Sequence, residues 1–338
     1  ASLWQQAGRA GRAGTDALAV VVARPEPLDT YLCEHPEAIF GQRADTPVLH
    51  PDLPAVLGPH LTAAAQEKPL TEADREFFGP RMIALADQLA DAGMLRRRSA
   101  GWFWTRPERA VDGIDLRSAA GEQVEIVEAA TGRVIGQVDP GAADRTVHTG
   151  AVYLHLGERW QIVEYDPQAR TALARPNTGN WYTQAIGSSD LRILTTDATE
   201  PLPAARAALG EVELSSEVTG YLRRDEVTGT VWDSNPLELP VRHFTTRATW
   251  WTVEPKVIAA SGISPAALPG AAHAAEHAMI GLLPVFAPCD RWDIGGLSTV
   301  CHPDTGLLSV FVHDGQEGGA GFADRAYSVM PDWLTATL

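Results

Sequence analysis

Gln5-Gln6-Ala7-Gly8-Arg9-Ala10-Gly11-Arg12, set within ASLWQQAGRAGRAG at residues 1–14, fits the pattern Q-x-x-G-R-x-G-R. Two arginines three apart share one face of a helical turn. The small residues between them let backbone and phosphate approach closely. Planar guanidinium groups suit the charge that develops on a transferring phosphoryl group. A solvated Arg-Gly tail has the same composition, so the surroundings decide. Just downstream, Ala17-Leu-Ala-Val-Val-Val-Ala-Arg24 is a continuous valine-rich run. Such a run predicts a buried strand of a parallel sheet. Pro25 and Pro27 end it, and residues 28–40 read as a short helix and connector.

The octapeptide resembles motif VI of superfamily 2 helicases, the arginine-bearing end of the second RecA-like motor domain. The resemblance implies Arg9 and Arg12 as catalytic arginines, and Gln5, Gly8 and Gly11 as nucleotide-binding residues. An NTPase motor also needs a loop G-x-x-x-x-G-K-[ST], whose lysine reaches the β- and γ-phosphates. Lys68 lies between Glu67 and Pro69, and Lys256 between Pro255 and Val257, so neither can be that lysine. The expectation is a chain that donates arginines to a nucleotide held by motor domains elsewhere in the same polypeptide, and that is inactive alone.

Residues 45–112 read as a small helical domain with a hairpin. A helix is expected over 52–66. Thr71-Glu-Ala-Asp74 is a capping box opening a short helix. From Pro80, Ile83, Leu85, Ala86, Leu89, Ala90 and Met94 recur at helical spacing, with Gly93 near the end. Leu95-Arg-Arg-Arg98, a turn at 99–101 and Trp102-Phe-Trp-Thr-Arg106 follow, so the segment resembles a winged helix. Arg96, Arg97, Arg98, Trp102, Trp104 and Arg106 combine cations with stackable faces, as single-strand tracking requires. The competing reading packs both tryptophans on the preceding helix and leaves the arginines solvated. Alternation predicts Trp102 and Trp104 on one side of the strand and Phe103 on the other.

Residues 113–200 turn to short strands, with hairpin signals such as Thr131-Gly132. They read as a β-rich, barrel-like module without catalytic spacing. Pro201 to Pro203 suggests a linker. Residues 201–338 read as an α+β domain, with strands at 212–222, 227–232, 246–253 and 307–312. A helix is expected at 269–283, a loop at 289–297 and a final helix after Gly321.

Composition sets bounds. The chain has 338 residues, 45% hydrophobic, with 24 prolines and three cysteines. Length suggests two or three domains. Scattered Cys33, Cys289 and Cys301 offer no disulfide framework, which points to a reducing cytoplasm. No apolar run is long enough to span a bilayer, and no charged-then-apolar leader opens the residues given. A net charge of −16 argues against a general nucleic-acid coating protein. Local cationic patches can still bind DNA.

His273-Ala-Ala-Glu276-His277 carries enzyme-like spacing. Histidines at i and i+4 share a helix face and can hold zinc, with Glu276 as general base. The order resembles the inverzincin metallopeptidase motif, whose third ligand is a downstream glutamate. The candidate here is Glu317, within a glycine-rich stretch. A helix cap, or histidines packed under a sheet, is the structural alternative.

Three stretches, Ala275-Glu-His-Ala-Met-Ile-Gly-Leu-Leu-Pro284, Cys289-Asp-Arg-Trp-Asp-Ile-Gly-Gly296 and His313-Asp-Gly-Gln-Glu-Gly-Gly-Ala-Gly321, resemble the C-terminal zinc-binding domain of MrfA/SftH-type helicases. The resemblance covers about residues 242–338 and agrees in chain order with motif VI. It implies the C-terminal portion of an ATP- and Mg²⁺-dependent 3′-to-5′ DNA helicase or translocase with a repair role. Its partner is DNA, single-stranded or 3′-tailed, with no membrane. That family holds structural Zn²⁺ with a tight cysteine cluster. Cys289 and Cys301 are twelve residues apart, so the expectation is that this cluster is missing and that no residue here is a metal ligand.

The expected fold is mixed α/β and α+β, multidomain. Residues 1–44 are a RecA-like remnant, 45–112 a winged helix, 113–200 a β-rich barrel-like module and 201–338 a truncated α+β C-terminal domain. A zinc metallopeptidase using His273, Glu276 and His277, or a non-enzymatic DNA-binding or interaction module, are the alternatives.

Overall fold

A computed structural model describes residues 2–11, 16–41, 47–48, 50–114, 123–290 and 293–338. The architecture is mixed α/β, with a winged helix, curled sheets and a nearly closed barrel-like sheet. The chain forms two compact units. One comprises Ala1–Leu53, Arg192–Glu213 and Thr245–Leu338, the other Pro54–Leu191 and Leu214–Phe244.

The second unit opens with helix Pro54–Glu67, which buries Leu57, Leu61 and Ala65 at helical spacing. The expected capping box is present. Asp74 accepts hydrogen bonds from the Thr71 N–H at 2.6 Å and hydroxyl at 2.8 Å. The Thr71 amide, then the hydroxyl, hold its carboxyl below the usual range. Helix Met82–Asp91 follows, burying Met82, Leu85 and Ala86, and Gly93 adopts φ +74° beyond its end. Strands Leu95–Arg98 and Gly101–Trp104 then form an antiparallel hairpin. The core joins Leu57, Leu61, Leu70, Met82, Leu85, Leu95 and Trp102.

The hairpin gains a third stretch at Leu70. The Leu70 N–H donates to Trp102 O at 3.0 Å and the Trp102 N–H to Leu70 O at 2.9 Å. Gly101 makes this pairing possible, since its φ is +126° and a Cβ there would lie 1.9 Å from Leu70 O.

Five strands follow in the order Val134–Val138, Val124–Glu128, Thr171–Pro176, Glu158–Asp166, Val152–His155. All neighbours are antiparallel except Val124–Glu128 with Thr171–Pro176. Helix Pro140–Thr146, absent from the sequence expectation, places Ala143 in their core. Its start was legible: Asp139 caps the Gly141 N–H at 2.8 Å and Pro140 occupies the first turn. Buried Asp144 on this helix accepts from Tyr165 Oη at 2.9 Å and from Arg242 Nε and Nη2 at 2.6 and 2.8 Å.

In the first unit, helix Leu268–Phe286 packs on a sheet in which strand Leu308–Asp314 lies between Arg242–Val253 and Ile294–Thr299. Leu283, Ile280, Val310, Val312, Met330 and Trp333 form its core. The Trp333 indole donates to Met279 O at 2.9 Å and ties helix Met330–Ala336 to the long helix.

Three expectations are corrected. Residues 16–24 form no strand, and Leu18 and Val22 are each 84% exposed. A parallel strand needs neighbours for its N–H and C=O groups, and no described strand pairs with this run. The proline-flanked segment at 201–203 is not a linker. Strand Ala198–Pro201 turns back onto Arg206–Leu209, with the Leu202 N–H on Ala205 O. Residues 294–299 are a strand rather than a loop, because Gly295 and Gly296 disguise close packing. A Cβ on Gly295 would lie 2.5 Å from the His313 ring, and one on Gly296 2.9 Å from Glu276.

Candidate nucleic-acid interface

The arginine-rich stretch begins as helix Ser2–Ala7 and leaves it through turns, with the Gly8 N–H on Trp4 O at 2.8 Å and Gly11 at φ +76°. The Trp4 indole anchors the helix. It donates to Ile39 O at 3.2 Å and meets Phe40 edge-on at 5.8 Å. Gln5, Gly8, Arg9 and Gly11 are exposed, and Arg9 makes no ion pair with a described residue. Arg12 lies outside the described residues. Lys256 pairs with Glu254 at 2.6 Å.

The hairpin separates its candidates by face. Register pairs Leu95 with Trp104, Arg96 with Phe103, Arg97 with Trp102 and Arg98 with Gly101. Pleating then puts Leu95, Arg97, Trp102 and Trp104 on one side, and Arg96, Arg98 and Phe103 on the other. The predicted alternation is therefore present, but the inward face carries the tryptophans. Trp102 is 2% exposed, and its Nε1 donates to Asp87 at 2.9 Å. Asp87 also receives Arg97 Nη1 at 2.7 and 2.9 Å, and that guanidinium lies 5.0 Å from the Trp102 ring centroid. Trp104 is half-buried and donates to Glu108 O at 3.0 Å.

The expectation that Trp102 is a base-stacking platform is thus corrected. Hydrophobic burial and one nonlocal carboxylate hold it in the core. Arg96, Arg98 and Arg106 are exposed and make no ion pair with a described residue. Phe103, half-buried on the Arg96 and Arg98 side, was missed, although the period of two was enough to find it. An open depression of about 420 Å³ at the hairpin base is lined by residues including Asp91, Gly93, Arg96, Arg97 and Thr105.

At the other end of the sequence, the Asp314 carboxylate accepts from the N–H groups of Ala320, Gly321 and Ala323 at 2.6, 2.8 and 2.8 Å. It gathers the glycine-rich turn onto the end of the strand. Burial pushes this carboxyl above its usual range, against amide donors that favour the anion.

Two family models match these regions. Residues 49–119 match the winged helix domain of ATP-dependent helicase HRQ1, and residues 275–338 match the MrfA Zn-binding domain. ATP-dependent helicase YprA of Bacillus subtilis is 30% identical over 335 residues, 98% of this chain and 44% of that protein. ATP-dependent helicase HRQ1 of Saccharomyces cerevisiae is 23% identical over 85% of this chain and 27% of its own length. The crystal structure of helicase MrfA bound to DNA superposes with a TM-score of 0.66 at 30% identity, covering 98% of this chain and 44% of that one. A complex of MrfA with DNA and AMPPNP gives 0.63 at 29% identity, covering 99% of this chain and 43% of that one. Fold and relatives alike resemble the C-terminal part of a helicase. The chain belongs with the C-terminal region of MrfA-like helicases. It spans less than half the length of these relatives.

A zinc-binding domain implies a metal, and the cysteines present do not fit one. Cys33 and Cys301 are exposed, and no cysteine joins a converging group of ligands among the described residues. Burial first, then the nearby Asp293, Asp314 and Asp290, push the Cys289 thiol up to about 12, away from the thiolate a metal needs. Among the described residues, the only group of three metal-ligand side chains that converges is His273, Glu276 and His277. Glu317 does not join it, so among the described residues no third ligand of the inverzincin type converges there. No helix among the described residues is long and apolar enough to cross a membrane.

Proposed function

We propose that this chain is the C-terminal accessory region of an ATP-dependent 3′-to-5′ DNA helicase or translocase of the cytoplasm, acting in DNA repair. The observation that carries this proposal is agreement over 98% of the chain with a helicase crystallised on DNA. Residues 1–44 complete a motor domain. Gln5, Gly8 and Gly11 line the nucleotide, and Arg9 and Arg12 face the γ-phosphate of ATP, whose Mg²⁺ and β-phosphate contacts come from motor domains of the same polypeptide. The exposure of Arg9 and of Leu18 and Val22 supports this reading, since all three would gain partners in a complete motor. The chain alone hydrolyses no ATP.

The winged helix contacts single-stranded or 3′-tailed DNA through the outward hairpin face. Arg96, Arg98 and Arg106 meet phosphates, and Phe103 offers a base-stacking edge. Arg97, Trp102 and Trp104 hold the hairpin against its helix. Anisotropy titration of a labelled single strand over a range of salt tests this. Replacing Arg96 and Arg98 together by alanine should weaken binding at least tenfold and flatten the log–log salt slope by about 1.4, two phosphate contacts' worth on single strands. An unchanged slope would remove the hairpin from the DNA path.

A further inference from the structure

The His273, Glu276 and His277 group is not absorbed by the helicase reading, and its geometry is specific. Both histidines project from helix Leu268–Phe286 one turn apart. Their Nε2 atoms are 3.2 Å apart, with the rings at 85°. Two nitrogens bound to one tetrahedral zinc at about 2.0–2.1 Å lie about 3.3–3.4 Å apart.

The support beneath them fixes which nitrogen is offered. Glu276 is 5% exposed, and its Oε2 lies 3.2 Å from His273 Nδ1. The same oxygen accepts from the Ser298 hydroxyl at 2.6 Å. Gly296 leaves room for this carboxylate, because a Cβ there would approach its Oε1 to 2.9 Å. With Nδ1–H of His273 donated to Glu276, the lone pair of that ring sits on Nε2. A carboxylate behind a histidine in this way sets the tautomer and raises ligand basicity at metal centres. Glu276 is therefore already engaged and is not a free general base.

We propose that His273 and His277 bind a divalent first-row ion, Zn²⁺ foremost, through their Nε2 atoms, with Glu276 and Ser298 as supporting residues. Both histidines are exposed, so the ion's remaining positions are open to water or to a ligand from another molecule. Imidazole pairs favour Zn²⁺, Ni²⁺, Cu²⁺ and Co²⁺ over Mg²⁺ and Ca²⁺. The site stands on its own geometry and is independent of the helicase assignment.

The test is calorimetric titration of the chelator-stripped 338-residue chain with Zn²⁺. One saturable ion per chain is expected. His273→Ala and His277→Ala should each weaken binding at least a hundredfold while leaving the circular dichroism and melting temperature unchanged. Glu276→Gln should weaken it about 10- to 100-fold. If Glu276→Gln fails to fold, Ser298→Ala replaces it and should weaken binding measurably. Cys289→Ser should leave binding unaltered. No saturable uptake, or uptake unchanged in both histidine variants or lost in Cys289→Ser, would overturn the proposal.

Discussion

Trp102→Ala should destabilise the chain by about 3–5 kcal/mol, the range found for deleting a buried aromatic, as read from the midpoint of guanidinium unfolding. Trp102 touches the fold in three ways. Its ring belongs to the core that includes Leu61, Met82 and Leu95. Its backbone pairs with Leu70 in both directions. Its indole N–H meets Asp87. Alanine keeps the backbone pairing and removes the rest, leaving a cavity. Trp102→Phe keeps most of the volume, loses the Asp87 bond and should cost about 1 kcal/mol. The paired Arg96→Ala and Arg98→Ala replacements should leave the midpoint unchanged, because both side chains are exposed. Weak DNA binding by the tryptophan variants that tracks their unfolded fraction would show that Trp102 acts through the fold. Weak binding by a fully folded Trp102→Phe would contradict that.

Asp314→Ala should cost about 3 kcal/mol or more, since three N–H groups, two of them buried, would each lose their acceptor at about 1–3 kcal/mol apiece. The donors are two adjacent residues of the Gly-rich segment, Ala320 and Gly321, and Ala323 in the first turn of helix Phe322–Ser328. Asp314 is fully buried, so water cannot replace it. Asp314→Asn retains one acceptor oxygen but adds an amide N–H toward donors, and should be intermediate. Unfolding midpoints in the order wild type, asparagine, alanine are expected. Equal midpoints for all three would show that the carboxylate does not hold the turn.

Much of this fold was legible along the chain. The Thr71 capping box, the Met82–Asp91 helix and the arginine–aromatic hairpin each follow from local pattern, and the structure has all three. Local pattern failed where packing is nonlocal. Asp87 is 15 residues from Trp102, and nothing at either position announces that they meet. Gly295 and Gly296 look like loop residues, yet they are small because His313 and Glu276 fill the space above them. The valine run at 17–24 has the composition of a buried strand, which composition alone cannot supply with neighbours. Of the candidate interface, the exposed cations were identifiable from sequence. Which aromatic shares their face required the hairpin register.

Under the proposed function, Gln5 to Arg12 form half of an ATPase site. The most direct test is DNA-stimulated ATP hydrolysis by the complete helicase carrying Arg12→Ala, with Arg9→Ala in parallel. Each variant should retain DNA binding and lose turnover on the order of 100- to 1,000-fold, the scale for removing one transition-state donor. Hydrolysis at the wild-type rate in both variants would contradict the assignment.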